Sequence, residues 1–154
     1  MKLFYSALVL GLALSPLSHA DCSAASKQAA LNFINTYIKL SDQGGSNYDK
    51  WVANHKALTP NFKTAYKKMI EQGKKEDPEL GLGFDPIIDG QDFPDKFDKV
   101  KICKPSGVIW VSGSWTPDSK KTMEIAVKPI QKQGKWLIDG SGVINIPEKE
   151  QAKR

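Results

Sequence analysis

The spacing of apolar residues changes midway along the chain, and this change constrains the fold more than any other sequence feature. Residues 24–40 and 60–73 place apolar side chains three and four positions apart, which is the periodicity of one buried helix face. From residue 108 onward, apolar residues alternate with polar ones or form short uniform runs, as strands do. Helices that precede antiparallel strands predict an α+β domain in which the helices cover one face of a curved sheet.

Two long helices and one short helical turn are predicted in the first half. The stripe of residues 24–40 contains Ala30, Leu31, Ile34, Tyr37 and Ile38. Thr59 and Pro60 start the second long helix, because Thr caps exposed amides and Pro suits the first helical position, and Gly73 closes it. The short turn is expected at residues 48–53. Apolar side chains of the second long helix are interpreted as core: Phe62, Ala65, Tyr66, Met69 and Ile70.

The second half predicts several strands. Residues 108–115 are almost uniformly apolar, which is typical of a strand covered on both faces or strongly twisted. In residues 123–128, Met, Ile and Val alternate with Glu, Ala and Lys, which indicates a half-buried strand. Residues 135–139 and 143–146 predict further strand, interrupted by the Gly-Ser-Gly run at 140–142.

Prolines and glycines predict how these strands are connected. Pro105 and Pro117 each lie where a type I turn accepts proline, so both predict hairpin connections. Residues 131–134 would form the next hairpin. Pro129 predicts a bulge or an edge position, because proline cannot donate to the hydrogen-bond ladder.

The first 20 residues resemble a cleaved secretory signal. Lys2 precedes an apolar run at residues 3–14, and Ser18-His19-Ala20 places small residues three and one before a cut ahead of Asp21. The domain prediction is therefore a signal at 1–20, one domain at 21–147 and a charged, flexible tail at 148–154. No later segment is a transmembrane candidate, and a periplasmic location is expected.

Two cysteines, Cys22 and Cys103, remain after this cleavage. Export to an oxidising compartment makes a disulfide between them the expected state, which would tie the N-terminal helix to a strand. The competing use as a catalytic thiol or metal pair lacks a C-x-x-C spacing and nearby histidines.

The charge balance excludes one class of function. Removing Lys2 from 22 basic residues leaves 21 against 17 acidic ones, a net charge of +4. Lysines are interleaved with acids along the chain, and the one arginine is the terminal Arg154. A nucleic-acid-binding protein would cluster Lys and Arg with stacking aromatics on one face, so we do not expect a nucleic-acid partner.

Residues 81–95, here called the acidic loop, are the strongest candidate for a site. They place four carboxylates and an amide among glycines, prolines and large apolar residues: Asp85, Asp89, Gln91, Asp92 and Asp95. The acids are separated by four, three and three positions, which does not fit the alternate positions and terminal Glu of an EF-hand. Two other interpretations stay open: a turn-capped loop pinned onto the core, and a rigid edge that recognises a polar ligand or a basic partner.

His55 and the Gly-Ser-Gly run at 140–142 are weaker catalytic candidates. An isolated histidine flanked by Asn54 and Lys56 is typical of solvated surface, although its ordinary pKa suits acid–base chemistry. Residues 140–142 lack the strand-to-helix context of a hydrolase nucleophile. We therefore assign no catalytic residue, no metal and no cofactor.

The order of elements resembles the NTF2-like superfamily, in which N-terminal helices pack into a cone-shaped, strongly bent antiparallel sheet. Residues 133–139, Gln-Gly-Lys-Trp-Leu-Ile-Asp, look like the last hairpin of that superfamily. More narrowly, residues 29–37, the segment 85–95 with its Gln91-Asp92, and the closing strands are similar to the DUF3828 family of exported bacterial proteins. The resemblance to that family brings no assigned activity with it. Enzymes of the NTF2-like group place Asp, His or Tyr residues inside the cone, and no such set can be assigned in this sequence.

These observations predict an exported, non-enzymatic domain that binds a small polar ligand or another envelope protein through the cone mouth and the acidic loop. Immunity-like proteins and envelope accessories fall within this class. The alternative is a small hydrolase or isomerase that uses Asp85, Asp89 or Asp92 as acid or base with His55 nearby.

Overall fold

A computed structural model describes residues 22–41 and 47–153 of the chain. The predicted signal at 1–20 and the terminal Arg154 lie outside these residues. The helices are α1 (Ala24–Ile38), α2 (Tyr48–Asn54) and α3 (Pro60–Glu76). The strands are β1 (Lys99–Cys103), β2 (Ile109–Ser114), β3 (Thr122–Lys132) and β4 (Lys135–Ser141), and a 3-10 helix covers Glu148–Glu150. Three helices packed on a four-stranded antiparallel sheet confirm the α+β prediction.

Capping residues start the two long helices. The Ser23 hydroxyl accepts a hydrogen bond from the Ser26 amide at 3.2 Å, and the Thr59 hydroxyl accepts one from the Phe62 amide at 3.0 Å. Each bond satisfies an amide that has no partner within its own helix. Thr59 therefore confirms the predicted start of α3, with Pro60 as its first residue.

Gly73 does not end α3, so this prediction is wrong. The helix continues to Glu76, and Gly73 is buried within it. A Cβ at Gly73 would lie 2.7 Å from Leu82 Cγ and 2.9 Å from the Leu82 amide nitrogen. The glycine is thus required because the start of the acidic loop passes directly over the helix.

The four strands form an antiparallel meander in the order β1, β2, β3, β4. The Gly107 amide donates to the Lys104 carbonyl at 2.9 Å, and the Ser119 amide donates to the Thr116 carbonyl at 3.0 Å. Both predicted proline turns are therefore confirmed. The third hairpin is also confirmed: Lys132 pairs with Lys135 across two residues that have positive φ, Gln133 at 50° and Gly134 at 74°.

The final predicted strand, at residues 143–146, is wrong. Strand β4 runs through Gly140 to Ser141, and the chain then turns with Gly142 and Asn145 at positive φ. Within residues 143–146, Ile144 forms an isolated bridge with Ser141 instead of a strand. The predicted irregularity at Pro129 is confirmed as a register shift between Lys128 and Pro129.

Both faces of the sheet are covered. The main core lies between the helices and one face, and it includes Ile109, Val111, Ile125, Val127 and Ile138. A smaller cluster on the other face joins Val108, Trp110, Ala126 and Ile146, with Ala152 packed against it.

The second cluster includes contacts from the segment that the sequence predicts to be a flexible tail. Trp110 Nε1 donates a hydrogen bond to the Glu150 carbonyl at 2.9 Å, and Ala152 packs on the same side of the sheet. Where the sequence predicts a charged, flexible tail at 148–154, Glu150 and Ala152 contact the sheet. The sequence offers no apolar pattern there because a backbone carbonyl makes the principal contact.

The start of α3 is tied to β4. The Thr59 amide donates to the Ile138 carbonyl at 3.1 Å, and the Thr59 hydroxyl donates to Asp139 Oδ1 at 2.7 Å. These bonds fix the position of α3 against the sheet.

Cys22 and Cys103 form a disulfide, as predicted, with their Cα atoms 6.0 Å apart. Cys22 precedes the cap of α1, and Cys103 is the last residue of β1. The bond therefore joins the first helix to the edge of the sheet across 81 positions of sequence. Within residues 22–41 and 47–153, no helix has both the length and the hydropathy needed to cross a bilayer.

We expect the Cys22→Ser/Cys103→Ser variant to lose about 2–4 kcal/mol of unfolding free energy, because the disulfide closes a long loop in the unfolded chain. Urea unfolding of the oxidised wild type and the variant measures this loss. Reduced wild type should match the variant, and equal stability of all three samples would contradict the prediction.

We expect Gly73→Ala to lower the free energy of unfolding by about 1–3 kcal/mol, because the added Cβ overlaps Leu82. Helix propensity alone predicts the opposite sign, a gain of about 1 kcal/mol. The neighbouring exposed change Gln72→Ala is the control and should stay within about 0.5 kcal/mol of wild type. A stabilised Gly73→Ala protein would show that the loop does not need this close approach.

Candidate functional site

The acidic loop is organised around the Asp85 side chain. Its Oδ1 accepts a hydrogen bond from the Ile87 amide at 2.8 Å. The Asp85 amide donates to the Gly90 carbonyl at 2.8 Å, and the Gly90 amide returns a bond of 3.3 Å, so residues 85–90 form a closed turn. Asp89 takes a positive φ of 54° within this turn, a conformation that aspartate tolerates better than most residues.

The sheet holds this turn from the other side. The Ser141 hydroxyl donates to the Ile87 carbonyl at 2.8 Å, and the Val143 amide donates to the Pro86 carbonyl at 3.0 Å. Ile87 and Ile88 are fully buried in the main core. This part of the acidic loop is therefore pinned, in agreement with the interpretation that its apolar residues anchor it.

The polar residues of the acidic loop do not converge. Gln91 Nε2 donates to the Gly83 carbonyl at 2.7 Å, and Asp92 Oδ1 accepts from the Phe93 amide at 2.9 Å, while both side chains and that of Asp95 are exposed. Asp89 lines a separate cavity that also contains Trp115 and Lys121. In the described part of the chain, no three His, Cys, Asp or Glu side chains are grouped so that they could hold a metal ion.

Asp85 instead lines a cavity of about 360 Å³ between the helices and the start of the acidic loop, which we call the tyrosine cavity. Its apolar and backbone lining comes from Ile70, Pro86 and residues 80–84. Its polar lining comes from all three helices and the loop: Tyr37, Tyr48, Asp49, Tyr66, Lys74 and Asp85.

Two tyrosine–aspartate pairs form the polar wall of this cavity. The Tyr37 hydroxyl donates to Asp85 Oδ2 at 2.7 Å, and the Tyr66 hydroxyl donates to Asp49 Oδ1 at 2.8 Å. Both tyrosines are almost fully buried, so each hydroxyl requires a partner. Burial, the carboxylate of Asp85 and the hydrogen bond to it raise the pKa of Tyr37 far above its ordinary range. Burial and the hydrogen bond to Asp49 do the same to the pKa of Tyr66.

The Asp85 carboxyl is held in an environment that opposes its ionisation. Burial raises its pKa above the ordinary aspartate range, while hydrogen bonds from the Tyr37 hydroxyl and from the amides of Ile87 and Ile88 act in the opposite direction. Burial is the larger effect, so the ionised form is destabilised in the folded protein.

Aromatic packing fixes the wall in place. The Tyr37 ring lies 5.3 Å from the Tyr48 ring and 5.4 Å from the Trp51 ring, measured between centroids. These separations are within the range of favourable aromatic pairs. The end of α1 and the start of α2 are therefore held together at the cavity.

Lys74 lies at the rim. Its Nζ is 3.9 Å from Asp49 Oδ2, and the two side chains are 64% and 65% exposed. An exposed pair at this distance contributes about 0.2–1 kcal/mol or less. Lys74 is thus only weakly held over Asp49.

His55 lies elsewhere. It lines a third cavity, of about 260 Å³, together with Phe33 and Trp136. Its Nδ1 accepts a hydrogen bond from the Ala57 amide at 3.1 Å. Its ring packs edge-on against the Trp51 ring, with 4.1 Å between the ring centroids. Burial, with a smaller effect of Lys63, lowers the pKa of His55, so the neutral form is favoured.

Sequence reasoning missed most of the tyrosine cavity. It places Tyr37 and Tyr66 in the core, which their burial supports, but it assigns no role in a site to Tyr48 or Asp49. A usable signal was present: tyrosine, rather than phenylalanine or leucine, at a buried helix position requires a polar partner. The identity of that partner could not be read, because Asp85 lies 48 positions from Tyr37.

Comparison of the chain with protein-family models, with curated proteins and with solved structures finds no significant match in any of the three. The resemblance to the NTF2-like superfamily and the DUF3828 family stays a prediction.

We expect Asp85→Asn to change how stability depends on pH. A carboxyl with a raised folded pKa contributes stability that is fully present below its unfolded pKa of about 3.9 and is lost as pH rises through the folded pKa. The variant cannot ionise, so its unfolding free energy relative to wild type should increase over this rise in pH.

Urea unfolding at a series of pH values measures this difference. Any loss of the Tyr37 hydrogen bond in the variant is the same at every pH and does not affect the slope. Asp92→Asn, which removes an exposed carboxylate from the same loop, is the control. A constant difference between Asp85→Asn and wild type at all pH values would contradict the prediction.

Proposed function

We propose that this chain is an exported, non-enzymatic binding domain of the periplasm that holds a small polar ligand in the tyrosine cavity. We also propose that it belongs to the NTF2-like superfamily and, within it, to the DUF3828 family. The signal-like residues 1–20 and the disulfide between Cys22 and Cys103 support export, because disulfides persist in oxidising compartments.

The cavity itself carries the proposal. At about 360 Å³ it falls within the range of about 300–1,000 Å³ that small-molecule sites occupy. Such sites combine an apolar lining with a few fixed polar groups. Ile70, Leu80 and Leu82 provide the apolar lining, and the two tyrosine–aspartate pairs provide the fixed polar groups.

The proposed site differs from the cone mouth that the sequence analysis predicts. Its lining residues belong to α1, α2, α3 and the acidic loop, with Leu80 just before the loop, rather than to the strands. Asp85 is the one carboxylate of the acidic loop that lines it. We therefore propose the helix side of the acidic loop, rather than its exposed edge, as the ligand site.

The geometry favours binding over catalysis. A hydrolase or isomerase needs reactive groups that reach a common substrate atom, whereas Asp85, Asp89 and His55 each line a different cavity. A general acid or base also works best with a pKa near the working pH. The pKa values of Tyr37 and Tyr66 are raised away from neutrality, and Asp85, whose pKa is raised toward it, does not share its cavity with Asp89 or His55.

We expect Ile70→Trp to block ligand binding, because the larger side chain fills the cavity that Ile70 lines. The measurement is a titration of the isotope-labelled mature chain with a library of small compounds of positive, negative and zero charge, following the backbone amides of residues 80–85. At least one compound should shift these amides in the wild type and lose affinity by about tenfold or more in Ile70→Trp.

Thr64→Trp is the matched control, because Thr64 is an exposed residue of the same helix that lies outside the tyrosine cavity and lines a neighbouring groove. It should bind as the wild type does. The proposal fails if no compound of any charge shifts the amides of residues 80–85, or if folded Ile70→Trp binds as tightly as Thr64→Trp.

A further inference from the structure

The direction of the hydrogen bonds in the tyrosine cavity restricts what a ligand can offer. The hydroxyl protons of Tyr37 and Tyr66 are both directed to carboxylates, those of Asp85 and Asp49. A phenol that donates its proton keeps only lone pairs for a further partner, and an ionised carboxylate accepts without donating. Ligand groups that meet these four side chains must therefore donate hydrogen bonds.

The rings around these groups also favour positive charge. Tyr37, Tyr48 and Tyr66 line the same cavity. The face of a tyrosine ring attracts a cation that approaches within about 6 Å, and this attraction increases where water is excluded.

The charges of the cavity lead to the same ligand class. Asp49 and Asp85 line it together with Lys74, a cation whose side chain is 64% exposed and whose Nζ is 3.9 Å from Asp49. The burial of Asp85 destabilises its ionised form, and a ligand cation beside it would compensate for that burial. Lys74 can turn into solvent when such a cation approaches Asp49.

Apolar side chains at the mouth of the cavity favour a ligand that also has an apolar part. Leu80 lines the cavity and is 76% exposed, an unusual position for a large apolar side chain. Ile70 lies in the same lining. The apolar part of a ligand would contact these two side chains while its polar end meets the carboxylates.

We infer that the tyrosine cavity binds an organic cation in which an ammonium group is attached to an apolar group. The ammonium donates hydrogen bonds to Asp49, Asp85 and the phenol oxygens, and the apolar group lies against Ile70 and Leu80. This inference rests on the proposed binding function and specifies its ligand class.

Three probes that share one ring test the inference: benzylammonium, benzyl alcohol and benzoate. Each is titrated into the mature chain, with the amides of residues 80–85 followed by NMR and affinity measured by calorimetry. We expect benzylammonium to bind at the cavity and benzyl alcohol to bind at least about tenfold more weakly, with benzoate the weakest.

Charge variants locate the binding. Asp49→Asn and Asp85→Asn should each weaken benzylammonium binding by about tenfold or more and weaken benzyl alcohol binding much less, while Asp92→Asn should leave the binding of both unchanged. Lys74→Gln should increase the affinity for benzylammonium several-fold, because it removes the lysine cation that competes for Asp49. Lys75→Gln, at the next and exposed position of α3, is its control and should have no effect.

The outcomes separate this inference from the proposed function. If benzyl alcohol or benzoate binds the cavity as tightly as benzylammonium, the cation inference is overturned and the binding function stands. The cation inference is also overturned if folded Asp49→Asn and Lys74→Gln leave benzylammonium affinity unchanged, and these two variants decide the test if Asp85→Asn does not fold. If neither these probes nor any compound of the mixed-charge library binds at residues 80–86, both proposals fail.

Discussion

The Asp85 carboxyl is the group on which the rest of the site depends. One of its oxygens accepts from the Ile87 amide and closes the turn of the acidic loop, and the other accepts from the Tyr37 hydroxyl of α1. A single side chain thus orders the loop, holds it against a helix and faces the tyrosine cavity. The cost of burying this carboxyl is offset only in part by the hydrogen bonds that it accepts, because burial is the larger effect on its pKa.

Asp85 can occupy this position because the loop is held on both sides. Ser141 and Val143 bind its backbone from the end of β4, and Gly73 lets it pass directly over α3. The disulfide between Cys22 and Cys103 connects α1, which carries Tyr37, to the edge of the sheet. Helices, loop and sheet therefore meet at the tyrosine cavity as one packed unit, and hydrogen bonds hold its two tyrosine–aspartate pairs in place.

The helices and hairpins were predictable because their signals are local. Thr59 and Pro60 mark the start of α3, and Pro105 and Pro117 mark turns, through bonds and backbone preferences that span only a few residues. Gly73 shows the limit of such reasoning. A glycine near the end of an amphipathic stretch is typical of a helix stop, but here a contact with Leu82 requires it inside the helix.

By itself, the sequence determined the class of the fold and the disulfide pairing, and it marked the segment around Asp85 as a candidate site. The tertiary structure decided which carboxylates line the same cavity. It separates Asp85 from Asp89, Asp92 and Asp95, its neighbours in sequence, and places it in one cavity with Asp49 and three helical tyrosines. The physical reason is that periodicity and turn chemistry act over a few residues, whereas a buried hydroxyl or carboxyl takes its partner from whichever element packs against it.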